Sequence, residues 1–562
     1  MFAPASLRPN LLAGLTVGIV ALPLSMALAI ASGVAPQYGL YTAIVAGIVT
    51  ALSGSSRVNI SGPTAAFVVI LLPIVQQFGF GGLLIAGFMA GVILIAMGVL
   101  KLGTLIELVP YPVTVGFTSG IAVVIAITQL KDFLGLPGEL TGHGFIEKGV
   151  ALVHALPGFR WPELLVGVVT LSILLLWGRR ESRIPAHLVA LVGGSLLAWG
   201  LAGAGDGFSV ATIASSFHYS SGDLVGSGIP PVAPQWVWPW QQPDAAGNAI
   251  GLSWHVISSL TGAAIAIALL GAIESLLCAV VSDSMVGTRT DPNRELIGQG
   301  LGNIIAPFFA AIPATAAIAR TATNIRAGAT SPLSSLVHAL VILLSILLFA
   351  PLLGVVPMAS MAALLLVVAW NMGEAHHFIR MLRVAPAHDI MVLLTCFILT
   401  VTIDMEVAVA AGMALASVLF IKRMIELTGV KLISTVPEEH AGLELPAGVL
   451  IYDINGPMFF GAAQNALKTL LTINDGIRVV ILDMRDVPMI DMTAMVAMQS
   501  IVSNLEKHGI GLVFCELAAD VEQKLLRAGV ISHDKLLRTA SIGASVSAAR
   551  KMIAESGTGD TT

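Results

Sequence analysis

Two stretches, VNISGPTAAFVVILLP (58–73) and IPATAAIARTATNIRAGATS (312–331), decide the reading of this 562-residue chain. Each opens on proline, small and β-branched residues and then turns helix-compatible. Both carry Thr-Ala-Ala, at 64–66 and 315–317, just after Pro63 and Pro313. An extended start followed by a half-helix leaves free N–H groups and the positive end of a helix dipole at the break. Such an end binds anions through the backbone alone. Breaks at matching places in two halves of a membrane chain are where inverted-repeat transporters keep their discontinuous helices. The alternative is a pair of merely kinked or short spans.

Composition frames these stretches. Hydrophobic residues make up 56% of the chain and charged residues only 11%, against roughly a quarter charged in soluble proteins. That excludes a soluble globular enzyme, and a net charge of −5 excludes a basic nucleic-acid binder. Residues 438–562 hold 15 acidic and 10 basic residues, whereas 1–437 hold 18 of each sign. The chain therefore reads as a polytopic domain, 1–437, followed by a soluble domain, 438–562.

A bilayer-crossing helix takes about 20 apolar residues. Fourteen candidates fall near 11–32, 38–53, 62–75, 81–100, 105–129, 161–178, 185–203, 255–281, 296–310, 315–328, 331–351, 357–371, 387–403 and 405–421. They group as repeats of seven, over 11–203 and 255–425. Arg8, Arg57, Lys101, Arg179, Arg180, Arg183, Arg289, Arg294, Arg380, Arg383, Lys422 and Arg423 all fall on the cytoplasmic side if the N-terminus is inside. Loop 204–254, on the other side, has no Lys or Arg and carries Trp236, Trp238 and Trp240, which suit a membrane interface. Loop 130–160 breaks the pattern, placing Lys131, Lys148 and Arg160 outside.

Two ionisable residues stand at membrane depth, Arg320 in the second broken stretch and Glu274 in GAIESLLCAV. Each costs about 3 kcal/mol or more in lipid, so each needs a cavity or a partner. Arg320 suits a carboxylate or sulfate through planar, charge-assisted hydrogen bonds. Glu274 suits a coupling group, carrying a proton or facing Na⁺. The competing reading is one structural ion pair between them. Glu107, Glu295, Asp404, Glu406 and Lys101 lie at span ends and read as interfacial, while His338 reads as packed, helix-bonded or a proton relay. No Walker motif or metal-ligand spacing is present, so neither ATP nor a metal cofactor is expected.

The tail turns to α/β periodicity, with strands at 448–454, 478–484 and 511–517 and helices at 462–471, 493–508 and 520–528. Asp491 or Met492 would end a loop, with a side-chain oxygen capping the helix that follows; a regulatory role is the alternative.

At this point a family resemblance can be stated. PQYGLYTAIVAGIVTALSGSSRVNISGPTAA (36–66) resembles the signature of sulfate permease (SulP) anion transporters, and GQGLGNIIAPFFAAIPATAAIARTATNIRAGATSP (298–332) is similar to the second hallmark region. VVILDMRDVPMIDMTAM (479–495) looks like a STAS domain. The resemblance implies seven plus seven inverted-repeat spans in core and gate domains, a homodimer, and an elevator-like movement. It also implies an anion site at Pro63, Thr64, Ala65, Ala319 and Arg320, with Glu274 as the acidic position. Thr493 matches the position phosphorylated in related regulators, but the usual following Gly is Ala494 here. In the first span, Leu24 and Leu28 stand where many members carry Gln and an aromatic residue. Together with 271–283 and 298–332, this resembles the bacterial four-carbon dicarboxylate transporters.

The expectation is a secondary transporter in the bacterial inner membrane with both termini cytosolic. It would couple succinate, fumarate or aspartate to protons, or alternatively to Na⁺. Sulfate or bicarbonate transport is the alternative within the class; an anion channel, or a sensor signalling to a cytosolic partner of the tail, belongs to a different one.

Overall fold

A computed structural model describes residues 4–106, 109–138, 145–180, 184–221, 224–403, 405–427, 429–433, 445–459, 476–531 and 537–557. Glu107, Asp404 and the expected helix 462–471 lie outside the described residues. The chain divides into two compact units, Met1–Ala416 and Ser417–Thr562.

In the first unit, helices occupy the candidate segments. Among the described residues of the chain, eight are long and apolar enough to cross a bilayer by length and composition, the last of them running past the end of this unit, and Ala186–Ala202 and Ala387–Thr402 are shorter apolar helices. The third and fourth candidates form one run, Ala65–Val99, interrupted at Gly79 (φ 71°, ψ −172°). Glycine is required there on two counts. The torsion is left-handed, and an added Cβ would sit 2.2 Å from the Asp244 carbonyl carbon. The loop that crosses there is held by the Gly81 N–H donating to the Pro243 carbonyl at 2.8 Å.

Packing follows the exchange of halves that an inverted repeat demands. Pro4–Ala31 lies on Leu333–Gly354, as Trp254–Val286 lies on Ala65–Val99; Pro36–Ser53 lies on Leu333–Gly354, as Pro292–Ile305 lies on Ala65–Val99. A second group gathers around Tyr111–Leu134, against Met358–Met372 and Ala387–Thr402, with Trp161–Gly178 against Met358–Met372. Small residues permit this closeness in helices of apolar surface. A Cβ added to Gly91 would lie 2.7 Å from the Gly300 carbonyl oxygen, and one on Gly300 would lie 2.7 Å from that of Gly91.

The broken stretches fold as short strands before half-helices. Ser61–Gly62 pairs antiparallel with Thr315–Ala316, Ser61 opposite Ala316 and Gly62 opposite Thr315. The half-helices start at Ala65 and Ile318. Antiparallel strands feeding both helices send them away in opposite directions. The merely kinked alternative is set aside.

Glu295 corrects an expectation. It is not interfacial but 3% exposed. Its carboxylate accepts from the Ser55 and Ser56 N–H groups (2.8 and 2.9 Å) and from Asn59 Nδ2 (3.1 Å). It thereby folds the turn that delivers the first strand.

Among its described residues the second unit holds a five-stranded sheet in sequential order, Gly429–Ile433, Val449–Asn455, Val479–Asp483, Gly511–Cys515 and Arg538–Thr539. The first pair is antiparallel and the rest parallel. Val479–Asp483 is buried throughout, as a central parallel strand should be. Helices Met492–Lys507 and Ala519–Arg527 match the expected ones. The strand Gly429–Ile433, ahead of the rise in charge at 438, and the helix Ile542–Gly557 are further elements of this unit. Asp491 is the N-cap of Met492–Lys507, its Oδ1 accepting from the Ala494 N–H at 2.7 Å, and Thr493 is exposed.

Glu295→Gln removes the charge and one acceptor from this three-donor clamp. The expected outcome is a loss of about 2 kcal/mol, read as a lower thermal unfolding midpoint of the purified protein.

Candidate anion site

The crossing of the two broken stretches puts extended backbone inside an apolar unit, and each exposed N–H and carbonyl there needs a partner. Polar side chains supply them. Asn303 brackets Ala314, its Nδ2 donating to the carbonyl and its Oδ1 accepting from the N–H, both at 2.8 Å. The Ile312 N–H donates to Thr42 Oγ1 (2.8 Å) and the Ile60 N–H to Thr321 Oγ1 (3.0 Å). Asn324 Nδ2 donates to the Val58 carbonyl (2.8 Å), and Ser335 Oγ to that of Asn59 (2.9 Å). Thr315 Oγ1 meets Ser275 Oγ at 2.8 Å and the Gly271 carbonyl at 3.1 Å. Gln299 Nε2 donates to Ser61 Oγ at 2.8 Å. Sequence reasoning missed this scaffold. Its signal was the polar residue in an apolar run, above all Gln299 and Asn303 one turn apart.

The first turns of the half-helices are treated differently. Thr64 (φ −124°, ψ 157°) is the cap residue of the first, yet its side chain makes no capping bond. Its hydroxyl donates instead to Glu274 Oε2 at 2.8 Å. The cap of the second is Ala317, which has no polar side chain. Neither half-helix has its leading N–H groups closed by its own cap.

Arg320 stands on the first turn of the second half-helix and is 2% exposed. Its Nη2 donates to the Pro63 carbonyl at 2.7 Å, while Nε and Nη1 have no hydrogen-bond partner among the described residues. Gly62 admits the guanidinium, since a Cβ there would lie 2.6 Å from Nη1. No ion pair joins Arg320 to Glu274 among the described residues; each is bonded to the first broken stretch instead.

The expected site residues therefore fall into two bonded pairs, Arg320 with Pro63 and Glu274 with Thr64. Ala65 is buried at the start of its helix, and Ala319 is exposed beside Arg320. Leu28 is buried and Leu24 half-buried on Pro4–Ala31. His338 is fully buried and neither ring nitrogen has a partner among the described residues, so the helix-bonded reading of it is wrong. Asp491 and Thr493 belong to the other unit.

The sequence profile of the Sulfate permease family matches residues 7–396, and that of the STAS domain matches 441–541. The chain belongs to the sulfate permease family. It is 42% identical to YvdB of Bacillus subtilis, which bears a provisional sulfate-transporter name, over 93% of this chain and 94% of the relative. It is 30% identical to the bicarbonate transporter BicA of Picosynechococcus, over 88% of this chain and 86% of that one. The fold is that of murine Slc26a9, solved in the inward-facing state, with a TM-score of 0.84, 19% identity, and 98% and 92% of the two chains covered. The protein is a multi-pass membrane transporter of anions with a C-terminal STAS domain, not an enzyme.

Asn303→Leu leaves both backbone groups of Ala314 without their partners. The expected cost is about 1–3 kcal/mol per group, measured as a lower unfolding midpoint and reduced recovery of folded protein.

Proposed function

We propose that the chain is a secondary active transporter of a small oxyanion, held between the two half-helix N-termini and Arg320 and driven by protons through Glu274. The observation that carries this reading is that both half-helices present uncapped first turns beside a buried guanidinium with two unpartnered N–H-bearing nitrogens. Backbone donors and a planar fork together favour an oxyanion. Glu274 touches the same first turn through Thr64. Protonating it makes the site less negative and favours anion binding, and Na⁺ beside an ionised Glu274 is the alternative coupling. Site and carboxyl are built on the same group of helices, which suits an elevator-like movement of that core against the second group, or gate. We further propose a homodimer in the bacterial inner membrane, with both termini cytosolic.

The names of the relatives support sulfate or bicarbonate as substrate. A second reading, four-carbon dicarboxylates such as succinate, fumarate or aspartate, rests on Leu24 and Leu28 and on the resemblance across 271–283 and 298–332. Labelled sulfate, bicarbonate and succinate offered to proteoliposomes, with and without pH or Na⁺ gradients, separate these readings. Uptake against a gradient excludes a channel; anion-dependent binding of a partner by the STAS domain, without uptake, would support a sensor.

Arg320→Ala is expected to reduce uptake to background while the dimer still forms on size-exclusion chromatography. Wild-type rates in the purified variant would sink the site assignment. Glu274→Gln is expected to flatten a pH profile in which wild-type uptake rises as the outside is acidified. An unchanged profile removes Glu274 from coupling.

A further inference from the structure

Three cations in loop 130–160 stand against the charge pattern of every other loop. Arg160 is accounted for. It pairs with Glu163 at 2.8 Å and donates to the Ser209 carbonyl at 2.6 Å. Lys148 is not. It lies on the helix Phe145–Ala155, is 9% exposed, and has neither an ion pair nor a hydrogen bond among the described residues. Burial pushes its pKa below the ordinary lysine value. Most of the Lys148 side chain is thus covered by packing, without a counter-charge among the described residues.

Lys148 lines a cavity of about 70 Å³, room for a few waters or one small oxyanion. The cavity lies where the two helix groups meet. Val68, Leu72 and Pro73 of the first half-helix form one wall, and Val124, Thr128 and Thr400 of the second group form the other. Val68 is one turn, about 4.5 Å along the axis, from Ala65, where the uncapped helix begins. The cavity thus lies between Lys148 and a helix wall one turn from the candidate anion site, at the boundary that must part when one helix group moves against the other.

We propose that Lys148 and the cavity beneath it form a receiving station for the transported oxyanion at the outer end of the boundary between the two helix groups. This rests on the transport reading given above. A cation there raises the local anion concentration, an effect that falls with ionic strength.

The test compares wild type, Lys148→Gln and Lys148→Arg in right-side-out vesicles, using the anion that the wild type accumulates from sulfate, bicarbonate and succinate. Lys148→Gln should raise the apparent KM for uptake about 3–10-fold at low ionic strength, with Vmax and the KM for efflux unchanged. The gap should close at high salt, and Lys148→Arg should behave as wild type. A second readout needs no transport. Modification of Lys148 in the solubilised wild type by a polar amine reagent, followed by peptide mass spectrometry, should slow in the presence of those anions relative to sodium chloride of matched ionic strength. Wild-type KM in Lys148→Gln, an equal defect in Lys148→Arg, or an equal rise in efflux KM would overturn the proposal, as would unprotected labelling. Protection without uptake would sink the transport reading and the station with it, leaving an anion site at Lys148 with no role in transport.

Discussion

Everything in the membrane unit depends on one constraint: backbone that is not helical cannot stay unpaired in an apolar surrounding. Two stretches of extended chain cross there, and the pairing of Ser61–Gly62 with Thr315–Ala316 satisfies only part of their hydrogen-bonding capacity. The remainder determines which residues the neighbouring helices carry. Asn303, Asn324, Thr42, Thr321 and Ser335 each serve a backbone group of the crossing. Glu295 serves the turn before it. The half-helix N-termini remain the places where this satisfaction is deliberately incomplete, and an anion site consists of just such unmet donors.

Much of this was legible in the sequence, because the strongest signals were local. Pro63 and Pro313 with small residues after them marked the breaks, and apolar run length marked the helices. The charge step near 438 marked a soluble unit, although its first strand, Gly429–Ile433, lies before that step. A strand of five residues at the end of a long apolar helix carries no period of its own to distinguish it. The STAS strands at 448–454, 478–484 and 511–517 were readable because each is a dense aliphatic run between turn residues.

What sequence could not reveal was partnership. Glu295 looks interfacial by position, since nothing local says that the 55–59 turn will arrive against it from 240 residues away. Arg320 and Glu274, the scarce charges at depth, invite pairing with one another. The fold instead ties each to the first broken stretch, through Pro63 and Thr64. Gly79 is a similar case. Its left-handed torsion answers a loop at Asp244 that no helical periodicity could foresee.

The hydrogen bonds at the crossing are made mostly between halves. Val58, Asn59, Ile60 and Pro63 are served by Asn324, Ser335, Thr321 and Arg320, while Ile312 is served by Thr42. Neither repeat is therefore a self-sufficient folding unit. During synthesis the first half must wait, with extended backbone unmet, until the second has been inserted. Two halves made as separate polypeptides would have to find each other before either became stable, so cooperativity in biogenesis is built into the same bonds that shape the candidate anion site.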